Sequence, residues 1–151
     1  MCELARAMHP AGASRLEVLR LAFNRIGNQG IKALALAWRQ GGGAEICELH
    51  AASNEIGCAG IAALASELRA APRLRLLSMG SALGGNRVSE PGALALAEAL
   101  RGLVRESSWR NRLRELVVSL KLNPLGERAL AELAAVASDS DCGSTGIRVL
   151  I

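Results

Sequence analysis

Residues 16–34 read LEVLRLAFNRIGNQGIKAL, and residues 46–64 read ICELHAASNEIGCAGIAAL. Thirty residues separate the two stretches, and nine positions keep their chemical type. Leu16, Leu19, Leu21, Asn24, Ile26, Gly27, Gly30, Ala33 and Leu34 match Ile46, Leu49, Ala51, Asn54, Ile56, Gly57, Gly60, Ala63 and Leu64. Such matching at one offset marks an internal repeat. A third copy opens at Leu74, Leu77 and Met79 and carries about four extra residues around Ser81–Gly85. It resumes with Asn86, Val88, Gly92, Ala95 and Leu96, with Ser89 in place of the first Gly. A fourth reads Leu113, Leu116, Val118, then two extra residues, then Asn123, Leu125, Gly126 and Leu133. There Ala129 replaces the second Gly and Glu132 replaces the Ala. Ile147 and Leu150 open a fifth copy, and Leu4 to Met8 read as the end of a helix from an earlier one. The expected organisation is one domain over 1–151, with repeats 14–43, 44–71, 72–110 and 111–144 and a partial unit 145–151.

Each copy changes period part-way. In Leu19–Arg20–Leu21, alternation puts two leucines on one face and Arg20 on the other, the pattern of a half-buried strand. After Asn24, Ile31, Leu34 and Trp38 recur at helical spacing, as do Ile61, Leu64 and Leu68. The unit is therefore strand, turn, helix. Ser89, Glu90 and Pro91 suit an N-cap and a first helical turn. The turn leaves backbone groups unpaired, and an Asn amide both donates and accepts. Stacked Asn24, Asn54, Asn86 and Asn123 are thus expected to form a ladder. Gly27 and Gly57 are expected to supply backbone angles that side chains disfavour. Gly30, Gly60 and Gly92 are expected to let neighbouring helices approach. No unit can bury its apolar face alone, so the core must form between stacked copies.

The pattern LxxLxLxxNxIGxxGxxAL resembles the ribonuclease-inhibitor type of leucine-rich repeat, found also in NOD-like receptors and Ran GTPase-activating proteins. The resemblance covers roughly residues 14 to 151. It implies an α/β solenoid, with a curved parallel sheet on the concave face and helices on the convex face. It also implies a protein partner on the concave face, and by analogy alone a GTPase-activating module. Fold by itself does not name the partner.

Composition agrees with a folded repeat. Half of the 151 residues are apolar, but aromatics are only Phe23, Trp38 and Trp109, so the core must be Leu, Ala, Val and Ile. The net charge of +4, mostly arginine, permits acidic partners without requiring them. Neither a secretory leader nor a membrane-spanning apolar run is expected. The spacing of Cys2, Cys47, Cys58 and Cys142 fits no small disulfide scaffold, so free thiols in a reducing compartment, cytoplasmic or nuclear, are expected.

By alternation, the partner-binding face comprises Val18, Arg20, Ala22, Glu48, His50, Ala52, Leu76, Ser78, Glu115, Val117 and Ser119. It lacks Trp and Tyr, so affinity would rest on Arg20, Glu48, His50 and Glu115. The irregular stretches Ser81–Asn86 and Arg101–Arg114 are secondary candidates. In the latter, Arg101, Arg105, Arg110, Arg112 and Arg114 surround Trp109, a pattern that can grip a nucleic-acid backbone. Helix-dipole complementation explains it more simply, and nucleic acid is not the expected partner. Cys47, His50 and Cys58 offer three metal-ligand types but lack a fourth and diverge in register, so no metal is expected. Gly41–Gly43 and Gly84–Gly85 lack the residues of phosphate loops. Asp139 and Asp141 have no visible acid–base partner. Neither catalysis nor a cofactor is expected. The apolar strand Ile147–Ile151 leaves an open edge, which suggests self-association or a place in a longer solenoid.

Overall fold

The computed structural model describes residues 15–106, 115–140 and 146–151. The readings at Cys2, Leu4 to Met8, Trp109, Arg110, Arg112, Leu113, Arg114, Asp141 and Cys142 lie outside the described residues.

Strands and helices alternate along the chain. They are β1 (Val18–Arg20), α1 (Gly27–Ala37), β2 (Glu48–His50), α2 (Cys58–Ser66), β3 (Leu76–Gly80), α3 (Glu90–Arg105), β4 (Glu115–Leu120), α4 (Glu127–Ser140) and β5 (Gly146–Leu150). The helical path continues past α1 through a wider turn, Trp38–Gly42, and past α2 through a tighter one, Leu68–Ala70. All five strands form one parallel sheet in sequence order. The helices pack beside one another as a second layer, α1 on α2, α2 on α3 and α3 on α4. Among the described residues, no helix is long and apolar enough to cross a membrane.

The core lies between the layers and runs through every unit. Leu19, Leu49, Leu77 and Val118 occupy one register across the sheet, at 7%, 0%, 0% and 0% exposure. Leu34, Leu64, Leu96 and Leu133 face them from the helices and are equally buried. Burying one such side chain stabilises by roughly 1.5–3 kcal/mol, and each depends on the neighbouring unit for its cover.

The fourth unit departs from the expected alignment. Leu77 pairs with Val118, not Leu116, and Ser78 pairs with Ser119. The two extra residues therefore precede the strand and do not follow it. A slip of two leaves every side chain on its original face, so alternation alone could not detect it. It does restore the spacing between Leu120 and Asn123, which matches that between Leu21 and Asn24.

The asparagine ladder bridges successive units. Asn54 Oδ1 accepts from the amide of Ile26 at 3.3 Å, while its Nδ2 donates to Leu21 O at 2.7 Å and Ala52 O at 3.0 Å. Asn86 Oδ1 accepts from Asn54 N and Ile56 N at 2.9 and 3.1 Å, and its Nδ2 donates to Ala51 O and Met79 O at 2.8 and 2.7 Å. Asn123 accepts likewise from Asn86 N and Val88 N. Asn24 is exposed and, among the described residues, donates to its own turn at Leu21 O and Ala22 O.

A second cross-repeat contact had no sequence signal. Asn28 Oδ1 in α1 accepts from the amides of Gly57 and Gly60, so it caps the next helix from outside. At the equivalent place in the next unit, Cys58 Sγ lies 3.0 Å from Ser89 Oγ. This diverts Ser89 from the expected cap: it holds the N-cap position of α3 without a side-chain hydrogen bond to the helix.

The glycines divide by role. Gly27 has φ +58°, as expected of a position a side chain would strain. Gly57 does not: its φ is −100° and a Cβ there would meet nothing closer than 3.5 Å. Gly60 and Gly92 are where helices touch. A Cβ on Gly60 would lie 2.6 Å from Ile31, and one on Gly92 2.8 Å from the Cα of Cys58.

Candidate functional site

The strand face opposite the helices carries two rows of side chains set by register. One row runs Val18, Glu48, Leu76, Val117 and Arg148. The other runs Arg20, His50, Ser78, Ser119 and Leu150. Parallel pairing of short strands brings these residues together from units tens of residues apart. At the centre lie Leu76 and Val117, half-buried and apolar, with charged groups on either side. Arg148, in the partial fifth unit, belongs to this face and was missing from the sequence-based set. Alternation from Ile147 would have found it.

Not every expected residue is available. Ala52 is 3% exposed, and next to it the amide of Ser53 donates to Gly85 O in the insert. Ser119 is 7% exposed, and its hydroxyl donates to Gly80 O at 2.6 Å, where the β3–β4 register shifts. Both are buried although alternation directs them outward, so neither is available to a partner as expected. Ala22 is half-buried and lies beyond the end of β1. Val18, Arg20, Glu48, His50, Leu76, Ser78, Glu115 and Val117 keep at least partial exposure.

The charged groups are organised around Glu48. Its Oε2 lies 3.1 Å from His50 Nε2 and its Oε1 3.4 Å from Arg75. The hydrogen bond to His50 holds the Glu48 carboxyl below its usual value of 4.5, against a smaller opposing effect of burial, with Arg75 and Arg20 adding to the lowering. On the far side, Arg148 pairs with Glu115 at 3.0 Å. These pairs are solvent-facing, so each is worth at most about 1 kcal/mol to the fold. Beside them an open depression of about 1230 Å³ is lined by Glu45, Glu48, Arg73, Arg75, Leu76, Glu115 and Val117. The face thus offers an apolar strip between two patches of mixed charge.

The other candidates are placed less productively. Cys47 lies near Glu45 O, His50 turns to Glu48, and Cys58 turns to Ser89. Both cysteines are free thiols. Burial raises the Cys58 thiol, but hydrogen bonding to Ser89 and from the backbone at Ser89, Gly92 and Cys58 outweighs it and leaves the thiol below its usual value. Among the described residues, no group of three or more His, Cys, Asp or Glu is placed to hold a metal ion. Arg101 is engaged by Glu132 of α4, and Arg105 is exposed in the last turn of α3.

A family model described as a leucine-rich repeat matches residues 14–35, which span β1, the Asn24 turn and most of α1. The fold is an α/β leucine-rich repeat solenoid. The second, third and fourth units repeat the matched one in strand register and carry an asparagine, Asn54, Asn86 and Asn123, at the turn position of Asn24. No curated protein matches the chain. Leucine-rich repeats generally mediate protein–protein interaction.

Proposed function

We propose that this solenoid is a non-catalytic protein-interaction module whose partner lies across the concave strand face. The observation that carries this reading is the pair Leu76 and Val117, half-buried at the centre of the sheet and flanked by Glu48, His50 and Arg75 on one side and Glu115 and Arg148 on the other. An apolar centre with a charged surround is the layout of a protein interface. The surround lacks Trp and Tyr, which favours a modest affinity steered by charge. The repeat spacing supports the ribonuclease-inhibitor type, and the free thiols Cys47 and Cys58 support a reducing compartment, cytoplasmic or nuclear. The test is affinity capture from the source cells with the native chain and with an Arg20→Glu, Glu48→Arg variant whose circular dichroism is unchanged. Loss of one defined partner in the variant supports the face, and unchanged capture rejects it.

A further inference from the structure

A different surface carries exposed apolar side chains that folding does not account for. The residue before the turn asparagine adopts a left-handed backbone in three units: Phe23 at φ 60°, Ser53 at 54° and Leu122 at 57°. The turn imposes this conformation, which bulky L-residues disfavour and which Gly or Asn adopts readily. Yet the chain places Phe and Leu there, at 61% and 66% exposure. Neither the backbone nor the core benefits from them. Between them, the insert of the third unit forms a tight turn closed by hydrogen bonds between Ser81 and Gly84, with Leu83 at its tip, 80% exposed.

These residues form one rim along the sheet edge beyond the strand C-termini. Phe23 N donates to Ala52 O, Ser53 N donates to Gly85 O, and a Cβ on Gly85 would lie 1.9 Å from Leu122 O. Three strand spacings therefore separate Phe23 from Leu122, about 15 Å. Beside the apolar row, Phe23, Arg25, Glu55 and Arg87 border a depression of about 390 Å³. Glu55 is engaged by Arg87 at 3.4 Å, and Lys121 adjoins Leu122, so positive charge is in excess along the rim.

We infer that this rim is a second docking site, separate from the strand face, for an extended protein segment bearing apolar side chains between carboxylates. The apolar row fixes its side chains, and Arg25, Arg87 and Lys121 complement its charge. Aliphatic Leu83 and Leu122 offer no stacking platform, which favours a peptide over a single-stranded nucleic acid.

The test uses fluorescence anisotropy on the full chain with four probes: a labelled peptide of alternating Glu and Leu, its Lys/Leu and Glu/Ser counterparts, and an oligothymidylate. The Glu/Leu peptide is expected to bind best. A Phe23→Asn, Leu122→Asn variant is expected to weaken that binding by about tenfold or more, with a melting temperature unchanged or higher because Asn suits the left-handed backbone. A Glu48→Arg, Arg148→Glu variant of the strand face is expected to bind it normally. The inference is overturned by failure of the Glu/Leu peptide to bind, by equal binding of the Lys/Leu or Glu/Ser peptide, or by tighter binding of the oligonucleotide. Loss of stability in the Asn variant, or loss of binding only in the strand-face variant, overturns it as well.

Discussion

Replacing Asn86 with Ala removes an amide that serves four backbone groups in two repeats. Its Oδ1 is the acceptor for Asn54 N and Ile56 N, and its Nδ2 donates to Ala51 O and Met79 O. The two carbonyls keep a second donor, from Asn54 at 3.3 Å and Asn123 at 3.2 Å. The two amides lose the acceptor they use. A buried amide without its partner costs about 1–3 kcal/mol, so the pair costs about 2–6 kcal/mol, a large share of the 5–15 kcal/mol typical of a domain. Partial entry of water argues for the middle of that range, about 3–4 kcal/mol. Asn24→Ala supplies the internal control. Asn24 is exposed and, among the described residues, bonds to two carbonyls of its own turn, so its loss should cost less than about 1 kcal/mol. Urea unfolding followed by circular dichroism measures both. Coupling is also expected: Asn54 and Asn86 share Ala51 O, so the double alanine variant orphans that carbonyl and should exceed the sum of the single losses by about 1 kcal/mol. Equal costs for Asn24→Ala and Asn86→Ala would refute the idea that the ladder joins the repeats.

Four further outcomes rest on other contacts in the fold. Leu49→Ala and Leu64→Ala, both at fully buried positions, should each cost about 2–5 kcal/mol in the same unfolding assay. Gly92→Ala should cost about 1–3 kcal/mol because the new methyl meets the backbone of α2. Gly57→Ala should be neutral or stabilising by up to about 1 kcal/mol, its backbone being ordinary; thermal melts separate the two. The Glu48 carboxyl titrates lower in the folded chain than its usual 4.5, so its contribution to stability is present above that value and is lost as pH falls through the folded value. The difference in urea midpoint between the native chain and Glu48→Gln should therefore be full at about pH 6 and shrink progressively as pH falls below 4.5; a difference that does not change with pH would remove Glu48 from the pH dependence.

The sequence alone determined the unit, its period and its two faces, because those are local properties. Strand alternation and helical spacing are written within a few residues, and nine matches at one offset fix the stacking order. The ladder role of Asn54, Asn86 and Asn123 was legible for the same reason: the turn needs a group that both donates and accepts. What the neighbours do was not local, and only the tertiary structure decided it. Ala52 and Ser119 alternate outward yet are buried, because the insert reaches Ala52 from the next unit and the shifted β3–β4 register brings Gly80 of the preceding unit to Ser119. The two-residue slip at Leu77 and Val118 leaves the alternation unchanged and so was invisible to it. Asn28, Cys58 and Ser89 acquire their partners across repeats some thirty residues apart. Exposure and pairing in a solenoid are set by whichever unit lies alongside, whereas periodicity reports only the unit itself.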